Sequence, residues 1–113
     1  MQRYIYKLTL KEDVESFKKN EIYVGKRSCE CIVENDNYYS SGKIPKSIIK
    51  KYGVNLFEKV IIESNIKSEE ELNKKEIFWI KQLKSYRYDH QINLNLTPGS
   101  DGKIKGSKSS LES

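Results

Sequence analysis

One carboxylate in this sequence sits where packing alone would not put it. Between Ser68 and Lys84, the residues Leu72, Trp79, Ile80 and Leu83 recur at helical spacing. At about 100° per residue, Glu76 falls in the middle of that apolar stripe. A carboxylate facing a core is costly unless it is paired, protonated or bound to a metal. A buried lysine or arginine would satisfy it, and so would a hard divalent cation with oxygen ligands. Hydroxyls and cations capable of chemistry gather near the N-terminus. Tyr6 and Tyr23 lie in two short alternating stretches, and Arg27 follows two residues after Gly25, close enough to reach the face of Tyr23. Lys26 is its neighbour. Lys43, Lys46, Lys50 and Lys51 crowd a further segment. Ammonium groups along one helix can follow a phosphate backbone, or can form an ordinary solvated face.

Secondary structure must position these groups. R-Y-I-Y-K-L-T at 3–9 and E-I-Y-V-G-K-R at 21–27 alternate with period two and are rich in Ile, Val and Tyr, which predicts strands. Paired antiparallel, they bring Tyr6 and Tyr23 to one side of a sheet, where tyrosine is also an ordinary packing residue. Between them, Val14 and Phe17 allow one helical turn or a polar loop. Residues 28–42 read as irregular, with a turn at Asn35, Asp36 and Asn37. A helix is predicted over 43–52, with Pro45 in its first turn, an apolar stripe of Ile44, Ile48 and Tyr52, and Gly53 as its C-cap. Residues 54–63 read as a third strand. Its run Val60, Ile61, Ile62 predicts burial on both faces. Ser68 and Glu71 form a capping box for the last helix. The alternating I-N-L-N-L at 92–96 can return as a short edge strand. The Gly-, Ser- and Lys-rich tail at 98–113 is a linker by composition, leaving 1–97 as the folded domain.

Composition bounds the partners. The chain has 113 residues and a formal net charge of +5, with only 36% hydrophobic residues. That suits one small domain with a heavily charged surface and a polyanionic partner. It contains no alanine, and Lys, Asn and Ile abound, as codon bias in an AT-rich genome would produce. No apolar run is long enough to span a membrane. No signal-peptide core is present, so an intracellular location is expected. Cys29 and Cys31 are expected to be free thiols, because a bridge two residues apart is strained and the compartment reducing.

These segments resemble the signature of the GIY-YIG nuclease superfamily. Y-I-Y at 4–6 and Y-V-G at 23–25 stand for its two triplets. S-G-K-I-P-K-S-I-I-K-K-Y-G at 41–53, K-E-I-F-W-I-K-Q-L at 75–83 and N-L-T-P-G-S-D-G at 95–102 follow in order. The likeness covers nearly the whole chain up to about residue 102 and is greatest to catalytic domains of phage and intron homing endonucleases. It implies an α/β (α+β) fold, a small, mainly antiparallel three-stranded sheet flanked by helices. It also implies metal-dependent hydrolysis of phosphodiester bonds in double-stranded DNA, with Mg²⁺ or Mn²⁺ and no small-molecule cofactor.

The same resemblance assigns roles. Glu76 becomes the metal ligand, Tyr23 the general base, Tyr6 the residue that positions water or phosphate, and Asn95 a brace. An unperturbed tyrosine pKa of about 10 requires help from cations or metal-bound water. The family's usual arginine falls at Val33, so Arg27 is the expected cation, with Lys26 and Lys43 as competitors. Lys26, Lys43, Lys46 and Lys50 are the expected DNA contacts. His90 matches no family position. Such nucleases read their sites through a separate C-terminal module, so this chain ends within a linker or is a small free-standing nuclease. Two other classes compete. One is a DNA-binding module with weakened catalysis, which the empty arginine position favours. The other is a protein-interaction domain on the same scaffold.

Overall fold

The computed structural model describes residues 1–39, 42–83 and 94–95. Strands β1 (Gln2–Leu10), β2 (Ile22–Cys29) and β3 (Phe57–Glu63) form one antiparallel sheet in the order β2-β1-β3. Helices α1 (Lys43–Tyr52) and α2 (Glu69–Leu83) complete an α+β fold of the expected class. Strand alternation divides the apolar residues between two faces. Tyr4, Tyr6, Leu8 and Leu10 point to the side covered by Ile48 of α1. Ile5 and Val24 point to the other, against Leu72 and Ile80 of α2 and the connecting Ile66. Full burial of an aliphatic side chain is worth about 1.5–3 kcal/mol, so both layers hold the sheet.

Burial on both faces belongs to β1, not to β3. Tyr4, Ile5 and Tyr6 are consecutive and essentially inaccessible, whereas Val60 of β3 is 41% exposed. The run Val60–Ile62 misleads because it contains a β-bulge. Ile5 pairs with Glu63 and Tyr6 with Ile61, which leaves Ile62 as the extra residue on an edge strand.

The β1–β2 connection takes one of its two expected forms, and Tyr52 departs from expectation. Val14 and Phe17 exchange backbone hydrogen bonds of 2.8 Å across a tight turn, so this connection is a loop with a β-bridge and not a helical turn. Glu15, at its tip, takes a positive φ of 55° and accepts hydrogen bonds from Lys51 and Tyr52 at the end of α1. Tyr52 is accordingly half exposed, outside the expected apolar stripe. Each four-residue step turns about 40° around the helix, so a stripe centred on Ile48 runs off the core by Tyr52.

The helix ends follow their sequence signals more closely. Gly53 takes φ 96°, ψ 162°, and its amide donates to the Ile49 carbonyl at 2.8 Å. A Cβ there would meet nothing within 4 Å, so the backbone alone requires glycine. At the start of α2 the Glu71 amide donates to Ser68 Oγ at 3.1 Å. The Glu71 carboxylate accepts from the Lys67 amide at 3.4 Å, one residue short of a reciprocal box. Glu63 ties β3 to α2 through Lys75 at 2.7 Å and Trp79 Nε1 at 3.1 Å.

The cysteines correct another expectation. Cys29 and Cys31 are joined as a disulfide rather than left as thiols. The bend after β2 brings their Cα atoms to 5.2 Å, inside the span a bridge requires. Among the described residues, no helix is long and apolar enough to cross a membrane. His90, most of the I-N-L-N-L stretch and the tail 98–113 lie outside the described residues.

Candidate active site

Tyrosines dominate the α1 side of the sheet. Tyr6 lies at the centre, with ring centroids 5.9 Å from Tyr4, 6.2 Å from Tyr23 and 6.1 Å from Tyr38. The β1–β2 register explains the grouping, because Tyr6 pairs with Gly25 and Leu8 with Tyr23. Gly25 has no side chain, and the two rings close over the space. A Cβ there would lie 2.5 Å from Tyr6 Cζ and 2.9 Å from Tyr23 Cε2, with the Tyr6 hydroxyl also in collision. Tyr23 also reaches the start of α1. A Cβ on Gly42, the residue that caps this helix, would lie 2.7 Å from the Tyr23 hydroxyl oxygen. The positive end of the helix dipole lies beside that oxygen.

Arg27 reaches this face, as its register opposite Tyr4 requires. Its Nε donates to Asp36 Oδ2 at 3.0 Å, and its guanidinium lies 4.2 Å from the centre of the Tyr38 ring. Asp36 is the hub. Its Oδ2 also accepts from the Tyr4 hydroxyl at 2.6 Å, and its Oδ1 accepts from the Tyr38 amide at 3.2 Å. Lys59 of β3 closes the group. Its ammonium donates to Tyr4 Oη at 2.8 Å, to the Asp36 carbonyl at 3.2 Å and to the Tyr38 carbonyl. It also lies 5.1–5.6 Å from the centres of the Tyr4, Tyr6 and Tyr39 rings, within cation–π range.

The electrostatics follow from burial and partners. Burial, then the hydrogen bond to Asp36, pushes the Tyr4 hydroxyl well above the ordinary tyrosine range. Burial also pulls the Lys59 ammonium below its ordinary value, with Asp36 opposing. Burial pushes the Asp36 carboxyl upward, but hydrogen bonds from Tyr4, Arg27 and the Tyr38 amide outweigh it and leave the group below its ordinary value. A carboxyl depressed by folding contributes stability above its unfolded value, and that stability is lost as pH falls through the folded one. The Asp36 side chain is only 6% exposed, whereas those of Glu15 and Glu69, also depressed, are 42% and 56% exposed. Asp36→Asn is therefore expected to flatten the fall in melting temperature on acidification. Thermal melts between about pH 3 and 7 check this, and an unchanged acid dependence would assign the acid sensitivity elsewhere.

Glu76 occupies the predicted place on its helix. It is 7% exposed, one turn from buried Leu72 on one side and from buried Ile80 on the other. Because that stripe packs against Ile5 and Val24, Glu76 belongs to the α2 side of the sheet. Tyr6, Tyr23 and Arg27 belong to the α1 side. The structure thus divides the expected site residues across β2. Lys26 is on the α2 side, where its ammonium donates to Asn73 Oδ1, one turn before Glu76. Asn95 pairs with both backbone groups of Val24, accepting from its amide and donating to its carbonyl at 2.8 Å each. The Leu94 amide adds a bond to the Ile22 carbonyl at 3.0 Å. Asn95 therefore holds the outer edge of the strand that carries Tyr23 and Arg27. Lys43, Lys46 and Lys50 are exposed on α1.

One buried carboxylate suits Mg²⁺, which retains waters and takes further oxygens from substrate phosphate. The three-donor group formed by Cys29, Cys31 and Asp36 does not suit it. Its sulfurs are bonded to each other and its carboxylate is held by Arg27 and Tyr4. Sequence reasoning missed Asp36 and Lys59. Asp36 hid inside an N-D-N turn. Lys59 shares strand parity with Phe57 and Ile61, which marks it as facing inward.

The chain is similar in sequence to curated phage proteins. The chain is 33% identical to "Putative endonuclease segB" of Enterobacteria phage T4, an alignment covering 94% of this chain and 50% of that protein. It is 37% identical to "Putative endonuclease segE" of the same phage, covering 73% of this chain and 37% of that protein. The chain thus spans half or less of the curated relatives it matches. No protein-family model matches it, and no solved structure matches it significantly. At the coarse level these matches support, the chain is similar to phage endonucleases.

Proposed function

We propose that this chain is the nuclease part of a phage-type DNA endonuclease of GIY-YIG kind, hydrolysing phosphodiester bonds with Mg²⁺ or Mn²⁺. The observation that carries the proposal is the Tyr6–Tyr23 pair closed over Gly25, with Arg27 on the same face. Tyr23 takes the proton of the attacking water, with the start of α1 beside its hydroxyl. Tyr6 fixes the position of water or phosphate. Arg27 faces the charge that builds on the phosphoryl oxygens. Glu76 would hold the divalent cation, whose chemistry there would be to polarise a phosphoryl oxygen and assist the leaving oxygen. The exposed lysines of α1 contact the flanking phosphates. Asn95 keeps β2 in register.

Nicking of supercoiled plasmid decides the matter. Cleavage should require Mg²⁺ or Mn²⁺, stop with chelator and fall strongly in Tyr23→Phe. The placement of Glu76 on the opposite sheet face favours a second reading, a DNA-binding module with weakened catalysis. Salt-dependent binding without any nicking would establish that alternative. Affinity for duplex DNA is expected to be weak, sequence-tolerant and electrostatic. Lys43→Ala, Lys46→Ala and Lys50→Ala should each reduce the slope of log K against log salt by roughly 0.9. Tight binding of one sequence at physiological salt would contradict this.

A further inference from the structure

Asp36, Tyr4 and Lys59 lie outside the roles already assigned, yet they form a continuous polar chain ending on Arg27. The donors along it are ordered. Lys59 donates to Tyr4 Oη at 2.8 Å, and an ammonium can only donate. The Tyr4 proton must then go to Asp36 Oδ2, at 2.6 Å. That oxygen also receives Arg27 Nε–H at 3.0 Å. The remaining Lys59 protons reach the Asp36 and Tyr38 carbonyls, so the loop carrying Asp36 is fastened to the sheet. Tyr4 is 0% exposed, and the Asp36 side chain is 6% exposed. Arg27 is different, with its side chain 32% exposed. Among the described residues, its Nε alone is used, and no hydrogen bond engages Nη1 or Nη2. Tyr38 supports the flat face of the guanidinium. The outer fork is left for a partner with two oxygens, the geometry in which arginine grips phosphate.

We infer that Asp36 is a positioning residue that orients the Arg27 guanidinium toward a phosphodiester, and that Lys59 and Tyr4 hold Asp36 in place for it. This rests on the role of Arg27 under the nuclease reading and extends it to residues that never touch the substrate. A lysine at position 27 would lose the arrangement, because one ammonium cannot offer Nε to Asp36 and a fork to phosphate together.

A double-mutant cycle in the plasmid-nicking assay tests the inference, using Asp36→Asn, Arg27→Ala and their combination. Asp36→Asn preserves shape and an acceptor for Tyr4 and should slow cleavage by about 10–100-fold, as loss of an orienting partner does, with little change in DNA affinity. In the Arg27→Ala background the same substitution should add almost nothing. Lys59→Met should reproduce part of the Asp36 effect. If Arg27→Ala is slow while Asp36→Asn is not, or if the two effects multiply, the inference fails and the nuclease reading stands. If Arg27→Ala cleaves normally, the role of Arg27 fails, and this inference with it. A second measurement is independent of cleavage. In isotope-labelled arginine spectra, the Arg27 Nε–H should be protected from exchange in the wild type and lose that protection in Asp36→Asn. Unchanged protection would overturn the inference even without a measurable nicking rate.

Discussion

Replacing Glu76 by Gln is expected to abolish metal-dependent cleavage while leaving the fold and DNA affinity in place. Glutamine keeps the length of the side chain and one acceptor oxygen but cannot supply the charge that holds a hard cation. Lewis-acid assistance is worth several kcal/mol, so the loss should reach at least about 10²–10³-fold in rate. Position strengthens the expectation. Glu76 is buried between Leu72 and Ile80, where an apolar residue would serve packing better. The competing explanation, half of a structural ion pair, has a different signature. Gln would then strand a cation in the core and destabilise by about 3–5 kcal/mol. Thermal melts without metal, run beside the nicking assay, separate the two. A large fall in melting temperature with cleavage retained would make Glu76 structural.

Gly25→Ala should be nearly as damaging to activity, for a purely steric reason. The new methyl would overlap the end of the Tyr6 ring and approach Tyr23 Cε2 to 2.9 Å. Neither ring can simply swing aside. Tyr6 is 1% exposed and enclosed by Tyr4, Tyr23 and Tyr38. Overpacking of this kind costs about 1–3 kcal/mol. Misplacing a reacting group by about 1 Å can cost about 10²-fold in rate. Cleavage by Gly25→Ala should therefore fall about 10²-fold even at temperatures where circular dichroism shows it folded. Wild-type cleavage by a folded Gly25→Ala protein would separate Tyr6 and Tyr23 from the chemistry.

Period-two and period-3.6 patterns were enough to place β1, β2, α1 and α2, because each of those elements has a continuous apolar face. They also placed Tyr6 and Tyr23 on one side and Glu76 on the inner face of its helix. The failures have specific causes. Val60–Ile62 breaks the alternation by a bulge, which no local pattern reveals, so the run mimics two-face burial. Tyr52 stood one helical drift beyond the core. Asp36 and Lys59 are 23 residues apart in sequence and meet only because the loop after β2 returns across β1 to reach β3. Polar networks of this kind depend on tertiary contacts between distant segments, and composition within each segment gives no sign of them. Cys29 and Cys31 turned on a bend in the backbone, where general expectation about compartment pointed the other way.

The edge formed by β3 also bears on how the protein meets copies of itself. Among the described residues β3 is outermost, and such a strand offers backbone groups that another chain could zip onto, the first step toward amyloid-like stacking. Here the extra residue at Ile62 interrupts the regular spacing of those groups. Lys59, directed inward and fastened by three acceptors, would have to leave them before the strand could flatten. A foreign strand would thus meet a short, kinked template anchored from within. The lysine that secures the tyrosine cluster also makes the sheet a poor seed for polymerisation.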